Sequence, residues 1–488
     1  MERWTAGRVL CHAGSGRAVL KSLAYGELLP DRAESVFRVE NAWPTPEGYR
    51  PVKSPLPLTG SLPGLAGVGA FIASDGTASL LAGSNAASYS GLYRYASSSW
   101  SSVMATSAGQ WRLDQFGDNV VAVNGDAPVR YDLLSGIATA LAGGPPLSSL
   151  VATVRQQVFL AGDPTAINTV SISGYNDCEQ WTPGTNQSLV VPFPSGGRIT
   201  GLAGGESAVI LQERSVKRGT YTGDVTVWSF DEISRDIGCL APGSVAQAGN
   251  LVFFVSDRGF MVCDRNSVTP IGSEKIDRSF FATYSRADIA NKLTAAVDPA
   301  TTTVIWAMPG KEGKLWCYNW TLEKWTTITT PTLGVFAGFD ANVSLDALDG
   351  LYIGGLDSIP VSLDSPIFAG GNPLLMVATW NAELSVMTGP NMEARFGVQP
   401  IEIERNYRVR VTGVRPISDA TEGTVTLDAR ARAGDPVANN ASGAVRPNGR
   451  MAIRANGRHI GVSHVIPAGA AWTYCNGIDL DYEVAGVR

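Results

Sequence analysis

Short stretches in which apolar and polar residues alternate, broken by tight-turn residues, recur along most of this chain. "FIASDGTASLLAG" (71–83) turns at Asp75-Gly76, "NVVAVNGDAPVRY" (119–131) at Asn124-Gly125, and "LVFFVSDRGFMVC" (251–263) near Asp257 to Gly259. Period-two alternation predicts strands, and Asn-Gly or Asp-Gly supplies the positive φ of a tight hairpin. A second hairpin pattern adjoins or overlaps each: "GLYRYASSSWSSV" (91–103), "PVRYDLLSGIATAL" (128–141) and "GFMVCDRNSVTPI" (259–271). "GKLWCYNWTLEKWTTI" (313–328) has the same form. In each, a strand ends near Tyr, Cys or Asp, a polar turn follows, and a new strand begins near Trp, Ile or Val. Two linked hairpins make a four-stranded unit.

Tyr95, Tyr131, Cys263 and Tyr318 hold equivalent places, with Tyr175, Trp228 and Gly354 as weaker candidates. The mean spacing is about 43 residues, the length of a propeller blade. The expected fold is therefore all-β: a six- or seven-bladed β-propeller over 63–365. It is flanked by an extended Pro-rich N-terminal arm (1–62) and a C-terminal antiparallel β domain (366–488). Prolines 44, 46, 51, 55, 57 and 63 preclude a central strand or helix through the stretch they punctuate. "YRVRVTGV", "TVTLDARARAG" and "GRMAIRANGRHIGVSHV" alternate again beyond a boundary near "FAGGNPLL". Helix is scarce, its best candidate being "SRADIANKL" (285–293).

The aromatic run raises a choice of chemistry. Trp316, Tyr318 and Trp320 alternate along one strand and Trp325 begins the next. They could form a stacking platform for sugars or nucleic-acid bases. The preferred reading is interblade core, where large rings fill the widening wedge between blades.

Composition narrows the classes. With 44% hydrophobic and 17% charged residues, the 488-residue chain can build a large core and is not a disordered sequence. A net charge of −6 argues against a broad phosphate-gripping face. The charge is uneven: from Arg395 to Arg458 there are eleven Arg, no Lys and six acids. That segment is about +5 and the remainder about −11, a separation suited to subunit contacts or a local polyanion site.

Candidate chemistry is sparse. The cysteines, Cys11, Cys178, Cys239, Cys263, Cys317 and Cys475, are scattered without C-x-x-C, so buried thiols are expected rather than a zinc site or disulfide framework. His459 and His464 stand five apart on one strand pattern and point to opposite faces, and His12 is remote in sequence. "AGSGRAV" reads as a turn, not a phosphate loop. "DANVSLDALDG" (340–350) has calcium-like oxygen spacing, but Leu345 stands where the loop needs Gly and Leu351 where it needs Glu. The N-x-S/T triplets at Asn186, Asn319, Asn342 and Asn440 are read as chance. Catalytic, cofactor-binding and metal residues are accordingly expected to be none. Carboxylates gathered from distant blades are the route left open to an enzyme. No secretory signal or membrane-spanning run is expected.

The order of elements resembles a known family. In 270–328, Ser273 to Ile276 precedes a short helix, Thr303 to Met308 forms an apolar strand, and Tyr318-Asn319 leads through a turn to Trp325. These are similar to elements of the tail-hub proteins of short-tailed bacteriophages, also called tail nozzle or packaged-DNA stabilisation proteins. "VFRVENAWPTPEGYRPVKSPLPLTG" looks like that family's opening and "GRHIGVSHVIPAGAAWTYCNGIDLDYEVAG" like its closing strands. Residues 90–250 match by repeat pattern alone, and the Gly- and Ser-rich first blade departs from the family.

The resemblance implies a structural, non-enzymatic virion protein of the tail, assembled in the host cytoplasm. It implies a homohexameric ring below the portal and its adaptor, the head-to-tail connector, with tail needle, fibre or spike proteins as neighbours. The ring would retain packaged DNA and conduct it during ejection, touching double-stranded DNA transiently. An acidic or neutral wall suits such a conduit, because each neutralised phosphate adds affinity. The alternatives are a propeller polysaccharide-degrading enzyme and a free propeller lectin or interaction scaffold. Arg405, Arg408, Arg410, Arg430 and Arg432 are candidate inter-subunit or adaptor contacts. Arg408 with Arg410, and Arg430 with Arg432, have same-face spacing, and planar guanidinium groups pair bidentately with carboxylates. A solvated strand face and a DNA contact are the other readings of these arginines.

Overall fold

The computed structural model describes residues 16–19, 37–224, 226–339, 373–404, 407–432, 434–444 and 449–486. Five consecutive stretches each form a four-stranded antiparallel meander: 65–105, 112–140, 150–192, 199–234 and 246–270. These are blades 1 to 5. Blade 6 comprises Thr294–Asp298, Thr303–Met308, Lys314–Asn319 and Lys324–Thr329. Blade 7 comprises Thr332–Phe339, Pro373–Thr379 and Leu384–Asn391, with Lys53–Pro57 as its outer strand. The inner strand of every blade lines one axial cavity, and the inner strand of blade 7 packs against that of blade 1. The protein is thus an all-β chain built on a seven-bladed β-propeller.

The turns form where the sequence provides for them. Gly76 (φ +85°) follows Asp75 in blade 1, and Gly125 (φ +96°) follows Asn124 in blade 2. Adjacent blades also need close approach. Trp111 lies across Gly67 and Gly83 of blade 1, where an added Cβ would fall 2.4 Å and 1.9 Å from the nearest tryptophan atom. Polar clasps repeat between neighbouring inner strands. Gln115 Nε2 donates to the Ile72 carbonyl of the preceding blade (2.7 Å), and Gln247 Nε2 donates likewise to Gly204 (3.0 Å).

Beyond the propeller lies a two-sheet sandwich. One sheet holds Ala394–Glu402, His459–Ile466, Thr424–Arg430 and Asn439–Ala444. The other holds Ala42–Pro44, Tyr49–Pro51, Cys475–Gly486, Arg408–Ser418 and Ala455–Gly457, with Gly16–Val19 paired to Cys475–Gly486. Val39, Phe396, Val409, Val411, Leu427, Ile460, Val462, Leu480 and Tyr482 belong to its core. Phe37–Glu40 joins the two units. It pairs in parallel with Lys324–Thr329 of blade 6 and antiparallel with Ala394–Glu402, giving one continuous nine-stranded sheet.

Several expectations are displaced. Residues 37–57 are not a surface arm but four strands inserted into three sheets. The proline argument holds in part: the proline-bearing Ala42–Pro44 and Lys53–Pro57 are edge strands and the central Phe37–Glu40 has no proline, but Tyr49–Pro51, which ends on Pro51, lies between two strands. Blade 7 draws strands from before residue 63 and after residue 365, so the propeller extends past both expected limits. Tyr175 follows the third strand of blade 3 (Thr169–Ile172), and Trp228 begins the fourth strand of blade 4 (Trp228–Ser234). Long loops before those outer strands shift the repeat phase. The expected helix is Arg286–Lys292, with the Ser285 hydroxyl accepting from the Asp288 amide (3.1 Å) as its cap. A second helix, Asp277–Thr283, precedes it. Cys11, His12, Gly354, Arg405 and the calcium-like 340–350 run lie outside the described residues.

Candidate functional site

The tryptophan run lies at the seam between blades 5 and 6. Trp316, Tyr318 and Trp325 pack in one buried cluster with Trp306 of blade 6, Phe253 and Phe260 of blade 5, and Phe280 of the helix Asp277–Thr283. Trp325 stacks on Trp306 (5.8 Å between ring centres) and tilts onto Phe260 (5.0 Å) and Tyr318 (4.8 Å). Its indole N–H donates to the Ile271 carbonyl at the end of blade 5 (3.1 Å), and that of Trp306 to Ser244 (2.9 Å). Trp320, one residue past its strand, is partly buried against Phe253 (5.6 Å). Trp325 is 0% exposed, so neither face of its ring is open for a ligand to stack upon, whereas Trp320 lines the axial cavity.

The arginines divide. On Arg408–Ser418, Val409 and Val411 enter the sandwich core while Arg408 and Arg410 face outward, exposed and without an ion pair among the described residues. Arg430 ends a strand of the opposite sheet and its Nη1 donates to the Asp435 carbonyl (3.2 Å). Arg432 lies past that strand, in a turn closed by its amide donating to Asp435 Oδ2 (3.1 Å). The expected same-face pair of Arg430 and Arg432 is therefore not formed, because the strand stops between them. Arg450 is held by Asp481 (2.8 Å), Arg458 by Glu402 (2.7 Å) and Arg395 by Glu393 (2.7 Å). Outward presentation belongs to Arg408, Arg410 and Arg432, while several of their neighbours hold the sandwich's own carboxylates.

A third feature lay outside the sequence reading. The axial cavity has a volume of about 1130 Å³ and is walled largely by small apolar residues such as Ala66, Gly69, Ala295 and Ala337. Among the described residues, Arg112, Arg198 and Lys292 are the cations on its lining, and no carboxylate lines it. Arg112 Nη1 donates to the Ser149 carbonyl of blade 3 (2.8 Å), and burial pulls its pKa down to about 10. Asp114, two residues on, accepts from the Thr153 amide (2.5 Å), and burial raises its pKa. The repeat pattern could have placed Arg112 and Arg198 where inner strands begin, but nothing in their local sequence distinguishes them from other surface arginines.

Five described cysteines, Cys178, Cys239, Cys263, Cys317 and Cys475, are free and buried, and desolvation pushes up each thiol pKa. Among the described residues, no group of three or more His, Cys, Asp or Glu is placed to hold a metal ion. His459 touches the Ala431 carbonyl (3.3 Å), whereas His464 is fully buried beside Phe396. No helix among the described residues is long and apolar enough to cross a membrane.

No protein-family profile and no curated protein matches the chain. Among solved structures, it is similar to U3-55K at 11% identity and a TM-score of 0.39, over 62% of this chain and 88% of that one. The WD40 repeats of RRP9 match at 11% identity and 0.39, over 59% and 88%. The extracellular domain of the hybrid two-component system BT4673 from B. thetaiotaomicron matches at 9% identity and 0.42, over 74% and 43%.

Proposed function

We propose that this chain is a structural tail-hub or nozzle subunit of a short-tailed bacteriophage, without catalytic activity, acting as a homohexameric ring below the portal-adaptor. In that role the ring retains packaged DNA and guides it out at ejection. The tail needle, fibre or spike attaches to it.

The observation that carries this reading is the join between propeller and sandwich. A conduit under genome pressure must not shear at its domain boundary. Here the boundary joins backbone pairing, Glu40 with Thr327 of blade 6, to buried side-chain packing of Trp43 and Val52 on blade 6. Asn41 reinforces it. In a left-handed conformation (φ +57°), its amide donates to Thr327 (2.9 Å), its Oδ1 accepts from Thr329 (2.9 Å) and its Nδ2 donates to Glu393 (2.8 Å). One side chain thus ties blade 6 to the sandwich. Arg408 and Arg410 then offer an outward cationic pair for acidic neighbours in the ring or adaptor.

The deciding experiment is native mass measurement and electron microscopy of the purified chain, alone and with its virion neighbours. Six-fold rings are expected. A persistent monomer that also releases reducing ends from a capsular polysaccharide would replace this reading with the enzymatic one.

A further inference from the structure

We infer that the mouth of the axial cavity is a receptor for a carboxylate on an extended peptide, with Arg112 and Arg198 as its anion contacts. This goes beyond the tail-hub reading and does not depend on it.

Both arginines lie where an inner strand begins, Arg112 as the first residue of its strand and Arg198 one residue before its own. Arg112 pairs with Val123, Leu150 with Ala161 and Ile199 with Gln212, each joining the first residue of an inner strand to the last residue of the second strand. Arg112, Ser149 and Arg198 therefore occupy the same end of the cavity on blades 2, 3 and 4. The Ser149 carbonyl orients one Arg112 donor, and its remaining N–H groups have no partner among the described residues. Arg198 is exposed and has no ion pair there. Lys292, the other lining cation, is already held by Asp288 (2.7 Å). Glu213 sits over Gly197, and its amide donates to the Arg198 carbonyl, but its carboxylate makes no ion pair with the guanidinium. This end of the cavity thus carries two arginines without an ion pair, and among the described residues no acid lines the cavity.

The rest of the cavity selects the ligand class. Besides the cations the wall is mostly glycine, alanine and aliphatic side chains with a few aromatic rings such as Phe71, Trp320 and Phe336, which suits small apolar side chains rather than a second charge. Most inner strands run five to eight residues, which span roughly 17–26 Å, the length of about five to eight extended residues. A lone inorganic anion would leave most of the volume unused. Nucleic acid fits poorly, since two cations neutralise few phosphates. A short acidic-ended strand, its carboxylate at the rim and its apolar residues along the axis, uses both features.

The test is fluorescence anisotropy on the full chain. One probe is a fluorescein-labelled hexapeptide of alternating alanine and valine that ends in glutamate with a free α-carboxylate. The control is the same peptide ending in glutamine amide. The acid peptide is expected to bind, with affinity falling as salt rises, and the amide to bind roughly tenfold to a hundredfold more weakly. Arg198→Glu, at an exposed position, is expected to abolish that preference without changing the melting temperature. Arg112→Gln, if it folds, should do the same. Equal binding of the two peptides, an unchanged preference in Arg198→Glu, or no binding up to about 1 mM would overturn the proposal. Saturation of the rim by inorganic phosphate without any peptide binding would overturn it too, as a free-anion site.

Discussion

Blades 1 to 5 and blades 6 and 7 have the same four-stranded form but are assembled differently. Each of the first five is a local meander whose strands follow one another within about fifty residues. Blade 7 takes its outer strand from Lys53–Pro57 and two others from 373–391, and blade 6 is extended by Phe37–Glu40 into the sandwich. The local blades can form as soon as their own turns close. The composite blades wait for contacts across some 300 residues, whose loop-closure entropy must be met before pairing repays it. Ring closure and domain joining therefore both depend on the same short N-terminal stretch.

Two truncations break this comparison most directly. Removing residues 1–58 takes away the outer strand of blade 7 and the bridge at blade 6. It is expected to abolish cooperative unfolding and expose blade 7 to limited proteolysis. Removing residues 1–41 leaves Lys53–Pro57 in place. It should retain a folded propeller whose sandwich is cleaved separately. Equal stability of the two truncated chains in a thermal scan would refute the division of labour.

The next test addresses the seam that borders the composite region. Trp325→Ala empties the space among Trp306, Phe260 and Tyr318 and is expected to cost about 3–5 kcal/mol in denaturant unfolding. An unchanged midpoint would mean the seam is not continuous core.

The sandwich carries its own pH dependence. Burial lowers the His464 pKa from 6.5 to about 4, so the folded state favours the neutral ring. The associated stability is present above the unfolded-state pKa and is lost as pH falls from about 6.5 towards 4. The full effect is about 3 kcal/mol. In the urea midpoint of the sandwich, His464→Phe should flatten that slope. A slope identical in both proteins would assign the titration elsewhere.

Asn41→Ala removes the side-chain bridge and places a Cβ-bearing residue without local hydrogen bonds in left-handed backbone. A loss of about 1–3 kcal/mol is expected, read as earlier release of the sandwich in hydrogen exchange. The smallest effect on stability belongs to the pair Arg408→Glu and Arg410→Glu, within about 0.5 kcal/mol. Its expected signature is weaker, salt-dependent ring assembly. Undisturbed assembly at low salt would leave these arginines as a solvated face.

How far the sequence could be read follows the same line between local and distant. Asp75-Gly76 and Asn124-Gly125 fold as turns because their φ values are a property of the residues themselves. The alternation of "YRVRV" determined that Val409 and Val411 turn inward and Arg408 and Arg410 outward, since side-chain period is fixed by the pleat. The helix at Arg286–Lys292 was legible as the stretch 285–293, and the structure adds its Ser285 cap. By contrast, the separation of Arg430 from Arg432 depends on where a strand ends, and the Tyr175 and Trp228 phase errors come from loops that carry no periodicity.

The sequence by itself determined an all-β chain of repeated hairpins, an aromatic-rich seam and a scarcity of metal ligands. Those follow from residue-level dihedral preferences, alternation and composition. Tertiary structure alone decided that there are seven blades, that the proline-rich stretch closes the ring, and that Phe37–Glu40 fuses two units. It also decided that Arg112 and Arg198 line one end of the axial cavity. Each of these is a pairing between segments far apart in the chain, and strand edges present nearly the same backbone groups to any partner. Their choice is made by which apolar faces can be buried together once the whole chain is in place.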